Sequence, residues 1–334
     1  MKISKRFSCL FFLLILVCFL IQGQAVKAVE ISGELANEFS YTRGERINQW
    51  GEKEDIDEFD NQPDLNLEVS GLLRDFKYRF DLRLDGAQFS PEVERATIST
   101  FLEPIFLEAG EKDWGWGEGF SFQPTSPFPD DEIYLGTEAN LFYKGYDLDF
   151  GLTVNDDNDN LSTGWFKLGK LLTTSDYQLV VSYLDEDLES DKEQGVNLGV
   201  DYSKDFLNDL VLHSGLNLRY CLEDEQFNEQ YLLGGTYYLE RNWLMIGEYY
   251  RQDDDYLMLS LRDNDTSTDW EWDLGYTVNL SDFGQRRSLH LSYSGIDDFT
   301  PQFEVVNYGG ADDSSLADKP EDWEVKFKVA VEVF

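Results

Sequence analysis

The chain has 334 residues, with 66 Asp+Glu against 27 Lys+Arg and a formal net charge of −39. A surface this acidic is repelled by phosphates, which excludes a nucleic-acid partner. Three cysteines are too few for a disulfide-dense scaffold, and 24 Phe, 18 Tyr and 8 Trp argue against wholesale disorder.

Residues 1–28 read as a cleaved secretory signal peptide. Lys2, Lys5 and Arg6 give a positive start, residues 7–21 form an apolar run broken only by Ser8, and Ala25-Val-Lys-Ala28 suits cleavage after Ala28. Cleavage would remove Cys9 and Cys18, so Cys221 would have no partner for an intramolecular disulfide. The leader holds no acidic residue, so the processed chain is more acidic still. Beyond the leader no apolar run is long enough for a membrane-spanning helix. An exported chain of this kind is soluble, tethered by a partner, or a β-barrel.

From residue 30 onward the sequence alternates with a period of two, the strand signature. Segments are expected at 30–42, 64–73, 77–86, 94–101, 105–111, 133–143, 146–155, 164–172, 176–184, 194–202, 210–220, 230–239, 243–250, 256–262, 268–280, 287–295, 303–308 and 323–333. In the third, Tyr78, Phe80, Leu82 and Leu84 alternate with Lys77, Arg79, Asp81 and Arg83. In the seventh, Tyr146, Leu148, Phe150 and Leu152 oppose Asp147, Asp149, Gly151 and Thr153. In the fifteenth, Trp270, Trp272 and Leu274 oppose Glu271 and Asp273. Many segments are about ten residues long, which crosses a bilayer when tilted. One phase that is almost purely aliphatic and aromatic, and another that carries full charges, are what lipid outside and water inside demand. Tyr41, Tyr143, Trp165, Tyr202, Tyr220, Trp243, Tyr256 and Trp270 near segment ends suit an aromatic girdle.

The connections add a parity test. Odd ones run long, at 43–63, 87–93, 112–132, 156–163, 185–193, 221–229 and 309–322; even ones are mostly short, with 203–209 an exception. Short turns at one end and longer loops at the other mark a membrane barrel. The expected fold is all-β: a single transmembrane, antiparallel, up-and-down barrel over 29–334. It has about 18 strands, with 16 the runner-up, and a long loop after strand 5. That loop carries Trp114, Trp116, Glu118, Phe120, Phe122, Phe128, Asp130 and Asp131 among glycines and prolines. So many aromatics suit a compact loop packed against something.

In this pattern the chain resembles Gram-negative-type outer-membrane β-barrels, most of all the general and substrate-selective porins. The resemblance is one of pattern and covers residues 29–334. Trp114-Gly-Trp-Gly-Glu-Gly followed by Phe122-Gln-Pro is also similar to loops in poorly characterised outer-membrane barrels. The final Phe334 fits such barrels, although it lies one residue out of phase with Val325, Phe327, Val329, Val331 and Val333. The resemblance implies an outer-membrane location, lipid and the barrel-assembly machinery as partners, and small hydrophilic solutes or ions as cargo. It leaves monomer and homotrimer open. It also implies that the loop after strand 5 folds into the barrel and narrows it; packing on neighbouring loops or a protomer interface is the alternative.

The inward phase would then be pore-lining. Arg74, Lys77, Arg79, Arg83 and Arg95 gather on early strands; Asp147, Asp149, Asp201, Glu271 and Asp273 lie on later ones. Basic and acidic sides produce a transverse field across a lumen, unless the charges pair off among themselves. Asp156-Asp-Asn-Asp-Asn160 invites a calcium reading, but the sixth and twelfth positions hold Leu161 and Lys167 in place of Gly and Glu. The only histidines, His213 and His290, lie mid-strand outside any catalytic motif, and no cofactor fingerprint is present. The expected function is a passive diffusion channel, cation-preferring from its acidity and not an enzyme. The alternatives are a non-transport surface barrel acting as adhesin, receptor or envelope stabiliser, and a secreted soluble all-β carbohydrate-binding protein.

Overall fold

A computed structural model describes residues 26–47, 53–73, 75–85, 90–114, 122–126, 133–154, 161–188, 191–207, 209–223, 225–239, 243–263, 268–296, 298–310 and 321–332. The expected leader lies almost wholly outside these residues.

Eighteen strands follow one another: β1 (Val26–Ile47), β2 (Lys53–Leu73), β3 (Phe76–Asp85), β4 (Ser90–Leu102), β5 (Ile105–Lys112), β6 (Tyr134–Tyr143), β7 (Tyr146–Val154), β8 (Leu161–Leu171), β9 (Ser175–Leu188), β10 (Asp191–Leu207), β11 (Leu210–Cys221), β12 (Gln226–Tyr238), β13 (Trp243–Arg251), β14 (Asp255–Asp263), β15 (Trp270–Asn279), β16 (Gln285–Tyr293), β17 (Phe299–Gly309) and β18 (Glu321–Glu332). Each pairs antiparallel with its sequence neighbours, and β1 pairs with β18, Ala36 opposite Ala330, so the sheet closes on itself. Closure removes both edges, and with them the unpaired backbone groups that a spanning sheet cannot leave in hydrocarbon. The expected count of eighteen strands is met.

Strand ends differ from expectation where the sequence stops alternating. β1 and β2 are 22 and 21 residues long and pair continuously up to Ile47 opposite Lys53, so most of the expected 43–63 loop is hairpin. β9 and β10 likewise pair as far as Leu188 opposite Asp191. A backbone ladder needs no apolar side chain. Where both faces meet water, it continues without a period-two signal. The exceptional even connection 203–209 also disappears, because β10 runs on to Leu207 and β11 starts at Leu210. Between β6 and β7, Lys144 and Gly145 both take positive φ (52° and 79°). This left-handed pair twists with the strands and is why glycine occupies the second site of the two-residue hairpin.

The phases sort as expected on the outside. Ile31, Leu35, Phe150, Leu152, Val196, Leu198, Val200, Leu216, Leu259 and Phe327 are exposed on the outer face. Inside, apolar side chains stand among the polar and charged ones. Trp165, Val180, Leu184, Leu232, Leu244, Ile246 and Met258 are buried on the inner face of β8–β14. Trp165 pairs with Gly151 and Ser182, and Tyr256 with Tyr250, so both point inward and leave the expected girdle. A Cβ on Gly151 would run into the Trp165 indole. Gly151→Val is therefore expected to cost about 1–3 kcal/mol by overpacking. It should lower the temperature at which the barrel loses its compact gel mobility; an unchanged transition would mean that Trp165 can move aside.

Candidate functional site: the inner wall and its inserted segment

The connection from β5 to β6 turns inward. Just past β5, Trp114 is buried, its Nε1 donating to the Tyr134 carbonyl at 2.9 Å. Its ring lies 5.6 Å from that of Trp165, and Lys112 Nζ sits 4.1 Å from its centroid. Further along, residues 122–126 form a second anchor. Gln123 to Ser126 close a turn, Ser126 N donating to the Gln123 carbonyl at 3.1 Å, with Pro124 at the position where its fixed φ is preferred. Thr125 Oγ1 donates to Asp201 Oδ2 at 2.5 Å. Pro124 lies where a side chain on Gly215 would stand, 3.1 Å from the Cβ position. Phe122 stacks on Tyr250, with centroids 4.6 Å apart and planes 12° apart, and tilts against Tyr256 at 6.0 Å. Beneath it lie Leu244, Ile246 and Met258. A segment that leaves the wall at β5 is thus fastened to the inner face as far round as β14.

Of the expected loop residues, Trp114 and Phe122 are on this inner face. Trp116, Glu118, Phe120, Phe128, Asp130 and Asp131 lie outside the described residues, as does Arg74 of the expected pore-lining set.

The remaining charged residues fall into three groups. Asp147 and Asp149 belong to a packed network below Trp114. Asp149 is 1% exposed and receives Lys167 Nζ at 2.7 Å, while Asn140 Nδ2 donates to Asp147 at 2.7 Å and also to Asp149. Lys112 in the same network meets Glu108 and lies 3.8 Å from Glu138. The early cations are interleaved with acids. Arg79 reaches Glu68 at 3.0 Å and Asp81 at 2.9 Å; Arg83 reaches Asp64 at 2.6 Å and Glu94 at 3.9 Å; Arg95 stands 4.0 Å from Asp81. Lys77 is exposed on the same face. On β15, Asp273 holds Arg262 at 3.1 Å and accepts from Ser260 at 3.0 Å, while Glu271 is exposed beside Ser292.

Some partners escaped the sequence reading. His213 and Glu248 are both buried on the inner face, with Nε2 and Oε1 2.9 Å apart. Lys112, Lys167 and Thr125 also act as fasteners. The available signal was the run Trp243-Leu-Met-Ile-Gly-Glu-Tyr-Tyr250, apolar on both phases. That marks a strand covered on both faces.

Solved structures share this architecture. OccK11 (OpdR) of Pseudomonas aeruginosa superimposes with a TM-score of 0.65 at 11% identity, over 92% of this chain and 96% of that one. OprD of the same species gives 0.59 at 13%, over 93% and 97%. A BenF-like porin from Pseudomonas fluorescens gives 0.58 at 10%, over 91% and 98%. The fold is that of an outer-membrane porin. No family model and no curated protein sequence matches the chain. In this porin fold the likeness lies in strand number and closure; at such identity the wall residues have to be read from this chain alone.

Proposed function

We propose that the chain is an outer-membrane channel for passive diffusion of small hydrophilic solutes, with a preference for cations. The observation that carries this reading is a segment between β5 and β6 fastened to the inner wall of a closed barrel through Trp114, Phe122 and Thr125. In this reading Trp116, Glu118, Phe120, Phe128, Asp130 and Asp131 complete the constriction. Arg74, Lys77, Arg79, Arg83, Arg95, Glu271 and Asp273 line the water. Asp147 and Asp149 support the wall behind Trp114.

The outer face supports the membrane location. Its exposed Ile, Leu, Val and Phe form a belt that water would disfavour at about 25 cal/mol per Å² and hydrocarbon would not. A soluble secreted protein has no use for such a belt. The apolar leader supports export. The acid excess supports cation preference, because fixed charge raises the local concentration of counter-ions.

The test is a planar bilayer holding the purified protein across a salt gradient. Steady open steps with a reversal potential of the cation-selective sign are expected. Silence of the correctly folded barrel would overturn the channel, and an anion-selective potential would overturn the preference.

A further inference from the structure

Inward-facing carboxylates have very different surroundings on the two sides of this barrel. On β7, β10 and β13, Asp149, Asp201 and Glu248 are at most 1% exposed, under or beside the inserted segment. Their neighbours Val180, Ser182, Leu184, Asn197, Thr236 and Ile246 are buried as well. On β1–β4 the charged side chains are more open, Asp64 beside Arg83 excepted. The side chains of Arg79, Arg83 and Arg95 keep 38–39% of their exposure, and those of Glu68 and Glu94 keep 36% and 43%. Glu271 on β15 is exposed, and the Lys326–Glu324 pair on β18 is half-buried. The register aligns them on one phase: Glu68 stands opposite Ser32 and Asp81, Arg79 opposite Ser70, Arg83 opposite Asn66, Arg95 opposite Asp81, and Lys326 opposite Ser40 and Glu304, while Glu94 lies at the bulge beside Arg95.

We infer that solutes pass along one crescent of the wall, from β15 through β18 and β1 to β4, and that the acids flanking Arg79 set the selectivity there. This rests on the channel reading above. A recess of about 340 Å³ on this side is lined by Glu34, Glu68, Asp81, Glu94 and Glu332 around the single guanidinium of Arg79. Two of those acids neutralise the arginine directly, at 3.0 and 2.9 Å. The surplus carboxylates face water and present a net negative surface to whatever passes. Equally acidic residues on β7–β13 are closed off and have no such influence. The route is therefore off-axis, and what it favours are small cations, small enough to move between the acid-lined wall and the inserted segment.

Cysteine accessibility tests the route. In a Cys221→Ser background, Ser32→Cys and Ser288→Cys lie on the crescent, whereas Ser182→Cys and Thr236→Cys lie on the closed side. A charged methanethiosulfonate reagent added during bilayer recording should cut the current of the first pair and leave that of the second unchanged. Block at Ser182→Cys or Thr236→Cys, or free passage at both crescent positions, would overturn the route while leaving the channel standing. Unmodified variants that fold but never conduct would overturn the channel itself. If one crescent variant fails to assemble, the other carries the same reading. For selectivity, Glu68→Gln should move the reversal potential toward zero and Arg79→Gln should move it away from zero. A potential that ignores both substitutions would remove these acids from the role.

Discussion

Replacing residues 115–132 with a short Gly-Ser link is expected to raise single-channel conductance several-fold, with the barrel still assembling. The described part of this connection touches the inner wall at Trp165, Asp201, Leu244, Ile246 and Met258. It adds cross-section inside the ring and contributes no strand to the ladder. Its removal leaves strand pairing complete and opens the interior. The cost is the uncovering of a small apolar patch, at about 25 cal/mol per Å². Bilayer recording and gel mobility together check the result. A folded barrel with unaltered conductance would mean that the segment does not limit flow.

His213→Ala is expected to destabilise the barrel by about 3 kcal/mol, from a lost buried hydrogen bond and the space the imidazole leaves. The imidazole and the Glu248 carboxylate meet at 2.9 Å with almost no solvent exposure, and a Cβ on Gly234 would strike the imidazole. Truncation takes from a buried carboxylate a partner that water cannot easily replace. The double change His213→Leu with Glu248→Leu removes both polar groups and should cost much less, since replacing both partners of a buried hydrogen bond by apolar groups can be near neutral. Urea denaturation followed by gel mobility gives both numbers. If His213→Ala proves as mild as the double variant, the contact is not structurally important.

Strand number and most strand ends were legible because one physical demand, opposite solvents on opposite faces, writes itself into every second residue. That signal ends where the demand ends. Arg43 to Ile47 and Lys53 to Asp60 carry charge on both phases and continue as ladder without announcing it. The same holds for Asp185 to Leu188 and Asp191 to Glu193. Within the site, Trp114 and Phe122 were legible as aromatics in a glycine- and proline-rich connection. Their receptors were not. Trp165 and Tyr256 look like girdle residues in a sequence whose outer stripe is also aromatic, and only the loop's return to the wall makes an inward aromatic favourable. Pairings such as Thr125 with Asp201, 76 positions apart, depend on that return and leave no local trace.

The extended β1–β2 hairpin has a consequence at larger scale. At about 3.3 Å per residue, β1 reaches about 70 Å, roughly twice the length of a ten-residue strand. The far end of the hairpin lies at the same end of the barrel as the β5–β6 connection, and its β2 strand carries Asp55, Asp57, Glu58 and Asp60 there. Such an overhanging palisade gathers counter-ions from the medium before they reach the opening. For the proposed conduit, supply at that doorway would be governed by anchored charge more than by the bath, so transport would persist, instead of dwindling in proportion, as the surroundings are diluted.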